Sequence, residues 1–311
     1  MRRVAVIGAG PMGLSLAAAT AQSVPTLLVV RNPHTVERLW GNGIEVRGAL
    51  KMKASPVLIR SIGEIGQFPD VDAIFIATKT TEISSVCAEL KPVLAPHSFV
   101  ISYQNGLEPG REIIQQLGSE KVLRCVLNYG AQFAPDNPAV VELPFNNAPH
   151  AIGTLHTEYR PVCENVAAML TRGGLITKFM EDLERLVWEK GIKNAAFNPV
   201  CALVHLDMAT VTQSPARPLM ERLLTEGLAV AAKYGYTFEA DFVTKWLARH
   251  AESAHHMPSM VHDVDTGHRT EITQLNTQII AKGKAVGVSV ATHEAIVELI
   301  ETLDWKIGRG K

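Results

Sequence analysis

Apolar positions fall into two regimes along this chain. Up to about residue 180 they gather in short runs, at 4–7, 26–30, 73–77 and 98–102, where β-branched and aromatic residues follow one another without polar alternation. Such runs suit strands covered on both faces. Between them, residues 14–22, 83–90 and 110–117 carry helical spacing, and that alternation is what a parallel sheet with crossover helices requires. Residues 122–126, 139–142 and 175–179 are expected to extend the sheet, with a turn at Ala134-Pro135-Asp136-Asn137-Pro138. Beyond residue 180 the segments 181–206, 219–234, 241–252 and 271–285 are longer, rich in Ala, Leu, Glu and Lys, and apolar at every third or fourth position. They are expected to be helices, with Pro199 kinking or breaking the first. The pattern predicts an α/β N-terminal domain, residues 1–180, followed by an all-α C-terminal domain, residues 181–311.

Composition narrows the partners. The 311 residues are 47% hydrophobic and 20% charged, ordinary values for a globular chain of two domains. Thirty basic side chains against thirty-one acidic ones give a net charge of −1, so no global field favours nucleic acid or an anionic membrane, and neither is expected as a partner. Cys87, Cys125, Cys163 and Cys201 lie far apart, with no metal-finger spacing and no suggestion of disulfides. The apolar stretch after Met1-Arg2-Arg3 lacks the length and cleavage site of a signal peptide, and no run of about twenty apolar residues occurs. A soluble cytoplasmic protein is expected.

Gly8-Ala9-Gly10-Pro11-Met12-Gly13 has GxGxxG spacing between the first strand and the first helix. In such a turn the first glycine permits the reversal and the second lets backbone approach a pyrophosphate. The third lets the helix pack on the strand, with the pyrophosphate at the helix N-terminus. The hexapeptide alone is common, and a tight turn with no ligand is the other reading. Its flanks, its start at residue 8 and the second strand at the expected distance point to a Rossmann-type dinucleotide-binding domain. Where that second strand ends, an acidic residue would bond the ribose 2′-hydroxyl of NAD. This chain has Arg31 instead, after Leu27-Leu28-Val29-Val30. A guanidinium favours a 2′-phosphate by charge and bidentate hydrogen bonding, so NADPH/NADP is the expected cofactor. It also counts against S-adenosylmethionine and flavin nucleotides. An arginine simply solvated at a strand end is the alternative.

Three polar clusters interrupt apolar patterns. Lys79 follows Ile74-Phe75-Ile76-Ala77-Thr78 at a strand's carboxyl end, the edge where open α/β sheets bind ligands; a surface lysine opening a loop would look the same. Tyr103-Gln104-Asn105-Gly106 follows another strand. Asn105 could bond a nicotinamide ribose or a substrate, although Asn-Gly is also an ordinary turn. In the run from Trp188 to Pro199, Lys190, Asn194 and Asn198 recur every four residues, hence on one face of a helix, amid Ile192, Ala195, Ala196 and Phe197. A lysine in a partly desolvated site loses basicity and can act as a general acid near neutral pH; the alternative is a polar stripe facing water. Downstream, Ser259 and Glu271 bracket a polar stretch, and Glu271 stands at a helix start, where the dipole alone favours a carboxylate. His250, His255, His256, His262 and His268 match no zinc spacing, so no metal is expected.

Together these pieces resemble the ketopantoate reductase (2-dehydropantoate 2-reductase) family, over nearly the whole chain. The motifs are GxGxxG, Arg31, Lys79, Gln104-Asn105-Gly106, the WxKxxxNxxxNP run at Trp188–Pro199, and Ser259-Met260 through Thr270-Glu271. The resemblance implies NADPH bound between a Rossmann domain and a helical domain whose closure excludes water. It implies that Gly8, Ala9, Gly10, Pro11, Met12, Gly13 and Arg31 contact the phosphate and adenosine parts. Lys79, Asn105 and Ala131 match nicotinamide-side positions. Lys190 matches the catalytic lysine and contacts substrate, with Asn194, Asn198 and Ser259 at substrate positions. Glu271 matches an acidic residue near the lysine and the nicotinamide ribose, catalytic and cofactor-binding. The implied reaction reduces 2-dehydropantoate to pantoate, for pantothenate and coenzyme A biosynthesis. Hydride passes from NADPH C4 to the ketone, and Lys190 is the general acid. The expected partner is a small-molecule 2-oxo acid, and homodimerisation is left open.

The chain also departs from that pattern. Val204-His205-Leu206-Asp207-Met208 lacks the Thr-Gly usual there, and an amide at a further substrate position is missing. Pro258 replaces the first of two paired serines, and Ser289-Val290-Ala291-Thr292-His293 replaces a Pro-Thr-Pro run. These changes leave the identity of the oxo acid open. Three alternatives remain: a related reductase acting on a different 2-oxo acid, a β-hydroxyacid dehydrogenase, and an NADP(H)-binding redox sensor without turnover. The second would be expected to carry Gly-Gly where this chain has Gln104-Asn105-Gly106. The third has no use for a proton donor.

Overall fold

The structure is a computed structural model that describes residues 1–309 apart from 135 and 254–256; Pro135 of the expected turn and His255 and His256 of the histidine set therefore lie outside the described residues. The chain divides into two units, Met1–Leu183 and Glu184–Lys311.

In chain order the first unit contains β1 (Arg3–Ile7), α1 (Pro11–Ala21), β2 (Thr26–Val29), α2 (Pro33–Leu39), β3 (Ile44–Gly48), β4 (Met52–Ala54) and β5 (Val57–Ile59). There follow β6 (Val71–Ile76), α3 (Ile83–Leu90), β7 (Phe99–Ser102), α4 (Pro109–Leu117), β8 (Val122–Val126) and β9 (Gln132–Ala134). The unit closes with β10 (Asn137–Leu143), β11 (His150–Gly153), α5 (Arg160–Arg172) and β12 (Thr177–Phe179). Eight strands form one sheet in the order β12-β11-β8-β7-β6-β1-β2-β5. It is parallel except where β11 runs against β8. The β1 run lacks polar alternation because both of its faces are covered. Val4 and Val6 pack with Leu14 and Leu16 of α1 and Val166 and Leu170 of α5, whereas Ala5 and Ile7 pack with Ile83 and Val86 of α3 and Ile113 of α4. Each such fully buried Val, Leu or Ile contributes on the order of 1.5–3 kcal/mol.

One expectation is overturned here. Residues 139–142 do not extend the main sheet: β10 joins a second sheet in the order β4-β3-β10-β9, parallel to β3 and antiparallel to β9. Val140 is buried, but the two sides of β10 differ toward its end. Val141 and Leu143 are buried in the core that contains α1, while Glu142 stands outward, 3.7 Å from Arg47. A strand that ends on a partly exposed, ion-paired carboxylate suits a peripheral sheet.

The second unit is helical: α6 (Leu183–Val204), α7 (Met208–Gln213), α8 (Arg217–Lys233), α9 (Phe242–Ser253), α10 (Ser259–Asp265), α11 (Ile272–Ala285) and α12 (Ala291–Arg309). Pro199 neither breaks nor ends α6, which continues to Val204. A proline costs a helix one donor, so the carbonyl four residues back loses its partner. That carbonyl is Ala195 O, and it accepts instead from Asn276 Nδ2 of α11 at 2.8 Å. The helix stops where His205 takes a left-handed conformation, φ 52, the one usually supplied by glycine after a helix. Asp207 then caps α7 by accepting from Thr210 N at 2.7 Å.

Candidate functional site

The carboxyl edge of the main sheet is built from the residues that follow β1, β2, β6 and β7. After β1 the chain turns through Gly8, with φ 116; a Cβ there would lie 2.9 Å from the Ala77 carbonyl. At Gly13 a Cβ would lie 2.0 Å from Gly8 O, so α1 can approach the loop only without a side chain. Gly10 is different. It is the N-cap residue of α1, in an extended conformation, and a Cβ there would meet nothing within 4 Å. The fold itself demands the outer two glycines and not the middle one. The first turn of α1 carries Pro11 and no acidic residue, and no side chain caps it, so its amide dipoles can take an anion.

Several buried side chains hold this edge in place. Ser15 of α1 bonds Tyr129 OH at 3.0 Å, and Tyr129 OH bonds Tyr103 OH at 3.1 Å. Burial pushes the Tyr129 hydroxyl up to about 12 and raises that of Tyr103, so both stay protonated as neutral links. Arg124, a charged residue within the buried β8, donates to Leu107 O at 2.7 Å and to Gly106 O. It thereby clamps the turn that presents Asn105; Gly106 has φ 105. Asn105 is half-buried. Gln104 is only 7% exposed; its Oε1 accepts from Ser102 Oγ at 3.2 Å, and its Nε2 has no partner among the described residues. Thr78 Oγ1 and Thr80 Oγ1 are likewise buried and unpartnered. Thr78 and Gln104 each stand two residues past the paired Ile76 and Ser102 of neighbouring strands. Groups of this kind are left for a ligand or water to satisfy.

Lys79 is exposed, at the start of the single turn 80–82 that follows β6. Ala131 is half-buried just before β9 and packs on the core that contains α1. Arg31, half-exposed beyond β2, lies 3.4 Å from Glu82 and 3.7 Å from Glu89. A Rossmann-type cofactor fits these residues: two glycines shape the turn, open space stands over the third, and polar atoms at the strand ends await partners.

In the second unit α6 carries Lys190 and Asn194, both half-buried, and Asn198, 8% exposed. The stripe therefore runs into the protein rather than along a wetted face. Lys193, on another face, pairs with Glu189 and lies 5.3 and 5.2 Å from the Phe242 and Trp246 rings. Glu271 occupies the N-cap position of α11 but makes no capping hydrogen bond, so helix capping does not account for it. Ser259 is exposed in the first turn of α10.

Sequence reasoning missed Ser15, Tyr129, Arg124 and Asn276, and it named Tyr103 and His293 without giving either a role. An arginine inside an apolar strand, and an asparagine and a histidine at apolar helix positions, were the available signals. Among the described residues no cluster of His, Cys, Asp or Glu could hold a metal ion, and no helix is long and apolar enough to cross a membrane. The four cysteines are free and buried; burial pushes Cys87 up to about 11 and Cys163 and Cys201 to about 12, which removes them from chemistry near neutral pH.

Two family models match the chain: "Ketopantoate reductase PanE/ApbA" over residues 4–147 and "Ketopantoate reductase PanE/ApbA C terminal" over residues 182–304. Proteins named 2-dehydropantoate 2-reductase are similar throughout. That of Archaeoglobus fulgidus is 28% identical over 305 residues, covering 98% of both chains, and that of Aquifex aeolicus is 26% identical, covering 95% of both. Among solved structures, the PanE/ApbA family ketopantoate reductase of Ralstonia eutropha JMP134 superposes with a TM-score of 0.87 at 23% identity, covering 98% of this chain and 99% of that one. A D-mandelate dehydrogenase in complex with NADH and anilino(oxo)acetate superposes with a TM-score of 0.86 at 20% identity and the same coverage.

Proposed function

The chain belongs to the ketopantoate reductase PanE/ApbA family, and from that premise we propose that it is an oxidoreductase using NADPH to reduce 2-dehydropantoate to pantoate, a step of pantothenate and coenzyme A biosynthesis. The observation that carries this reading is the stripe of Lys190, Asn194 and Asn198, which passes from half-buried to buried along α6 in a chain whose sheet edge is shaped for a dinucleotide.

The division of labour is as follows. Gly8 to Gly13 hold the pyrophosphate against the first turn of α1. Arg31 takes the 2′-phosphate, exchanging Glu82 and Glu89 for it. Lys79, Asn105 and Ala131 stand on the nicotinamide side. The reduced dinucleotide supplies a hydride. As the ketone carbon is reduced, negative charge builds on its oxygen; the Lys190 ammonium stabilises that charge and delivers the proton. Asn194, Asn198 and Ser259 bind the hydroxyl and carboxylate ends of the oxo acid and so align it. Glu271 orients Lys190 and meets the nicotinamide ribose.

A second reading, a reductase for a different 2-oxo acid, is favoured by two departures with structural roles of their own. His205 ends α6 and pairs with Asp265 at 3.0 Å, and Thr292 and His293 are tied to α8. The structurally similar D-mandelate dehydrogenase shows that this fold serves other chemistry too. Loss of nicotinamide absorbance with ketopantoate, 2-oxoisovalerate and oxaloacetate, each with NADPH and NADH, separates the readings. A kcat/KM for ketopantoate no better than for the others would remove the pantothenate role. Lys190→Ala should lower kcat by at least about a thousandfold with NADPH affinity little changed. Unchanged turnover would take Lys190 out of the mechanism.

A further inference from the structure

Pro199 follows Asn198 directly, and it frees a carbonyl one turn below, that of Ala195, beside Asn194. Asn276 is fully buried and makes two donations with one amide nitrogen: to Ala195 O at 2.8 Å and to His293 Nδ1 at 3.0 Å. His293, also fully buried, donates from Nε2 to Leu223 O at 3.0 Å. The Leu223 carbonyl can only accept, so Nε2 carries the proton and Nδ1 must be an acceptor. Ala195 O is also an acceptor, so the amide cannot be turned over. The chain of bonds ends on α8, where Glu226 accepts from Thr292 N at 3.0 Å, from Thr292 Oγ1 at 2.6 Å and from His293 N at 3.2 Å. Asn276 Oδ1, by contrast, is buried without a partner among the described residues. A leucine would fill this position with no orphaned oxygen. The amide's donors are therefore what the site uses.

We infer that Asn276, oriented by His293, is a positioning residue for the substrate-binding face of α6. It fills the carbonyl that Pro199 leaves open and fixes the turn bearing Asn194 and Asn198 against α11, the helix whose N-cap residue is Glu271. Thr292 and His293, which lie in the segment that departs from the family pattern, are the outer half of this lock. The inference rests on the role proposed for α6 and deepens it.

The test is a double-mutant cycle of Asn276→Ala and Pro199→Ala, read by thermal midpoint, NADPH fluorescence titration and steady-state kinetics with ketopantoate. In Pro199→Ala the restored N–H closes onto Ala195 O, so Asn276 has less to do. With Pro199 present, Asn276→Ala should lower kcat/KM at least about fivefold, at a temperature where it is fully folded, with NADPH affinity within about twofold of the parent. The loss should fall mainly on KM, because Asn194 and Asn198 are the displaced residues; a merely structural role would lower the midpoint and leave KM alone. In the Pro199→Ala background the same substitution should lose no more than half as much on a logarithmic scale, in kcat/KM and in midpoint alike. A loss below about fivefold in Asn276→Ala alone, or equal losses in the two backgrounds, overturns the inference. If Asn276→Ala alone does not fold, the double variant decides: a folded protein supports the inference and an unfolded one overturns it. Intact turnover in Lys190→Ala would defeat the proposed function, while the midpoint cycle would still report on Pro199 and Asn276.

Discussion

The contrast between Gly10 and Gly13 separates what the fold needs from what a dinucleotide needs. At Gly13 an added Cβ would sit 2.0 Å from Gly8 O, a full ångström inside the 3.0 Å that real side-chain carbons observe. The oxygen belongs to backbone and cannot swing away, so α1 must withdraw from the loop and open the core beneath Leu14 and Leu16. Overpacking of this severity costs about 3 kcal/mol. In a unit of this size each kcal/mol moves the midpoint by about 2–4 °C, so Gly13→Ala should melt about 6–12 °C lower. At Gly10 the backbone has φ −75 and ψ 175 and a Cβ meets nothing within 4 Å. Alanine is a poorer N-cap than glycine, but it also restricts the unfolded chain, and the net change should stay within about 0.5 kcal/mol. If the pyrophosphate lies over Gly10, that same methyl group stands in its way. Gly10→Ala should then bind NADPH and NADH at least about tenfold more weakly, a loss of about 1.4 kcal/mol, with a wild-type melting curve. Differential scanning calorimetry and fluorescence titration of the two proteins decide the matter. Unchanged affinity for both nucleotides in Gly10→Ala would refute the placement of the cofactor on this loop.

Two further outcomes follow from single residues. Arg31→Ala should weaken NADPH binding by about tenfold or more and leave NADH nearly untouched, since only the 2′-phosphate calls on the guanidinium; equal losses for both nucleotides, by titration, would assign Arg31 a structural role with Glu82 and Glu89. Burial holds His293 below its ordinary value of 6.5. As pH falls through about 6.5 the unfolded chain takes up this proton before the folded one does, so the folded state loses up to about 1.4 kcal/mol per pH unit until the folded pKa is reached. Melting curves of wild type and His293→Asn between pH 7.5 and about 5 should therefore diverge, with wild type falling more steeply on the acid side, and parallel curves would contradict it.

Where both faces of an element are buried, its sequence betrays it. The runs at β1, β2, β6 and β7 were legible because covering helices remove any call for polar residues, and α3 and β8 were legible to the residue. The strands β3, β4, β5, β9 and β11 were not read. Glu45 and Arg47 alternate with Ile44 and Val46 in β3, and its partner β10 arrives nearly a hundred residues later, so no local signal marks the pair. The helix α5 does carry an apolar stripe, Cys163, Val166, Ala167 and Leu170, and went unread beside the stronger patterns. Glycine was the most informative residue at the site, because its use at Gly8 and Gly13 answers a stereochemical demand that any sequence shows.

What stayed hidden at the site has a common physical character. Arg124, Tyr129 and Asn276 act on groups 18, 26 and 81 residues away, respectively, and nothing beside them in sequence reveals the acceptor or donor they meet. Pro199 makes the point from the other side. Local chemistry says only that a proline withdraws an N–H from the helix, and from that a kink or a break is the reasonable expectation. Whether the helix yields depends on the fate of Ala195 O. Left bare in a buried place it would favour unwinding, but supplied with Asn276 Nδ2 it is satisfied, and the helix runs on. A missing donor is thus a destabilising defect or a docking point according to what the tertiary structure brings to it. In α6 it is a docking point, set between the two asparagines of the proposed substrate face.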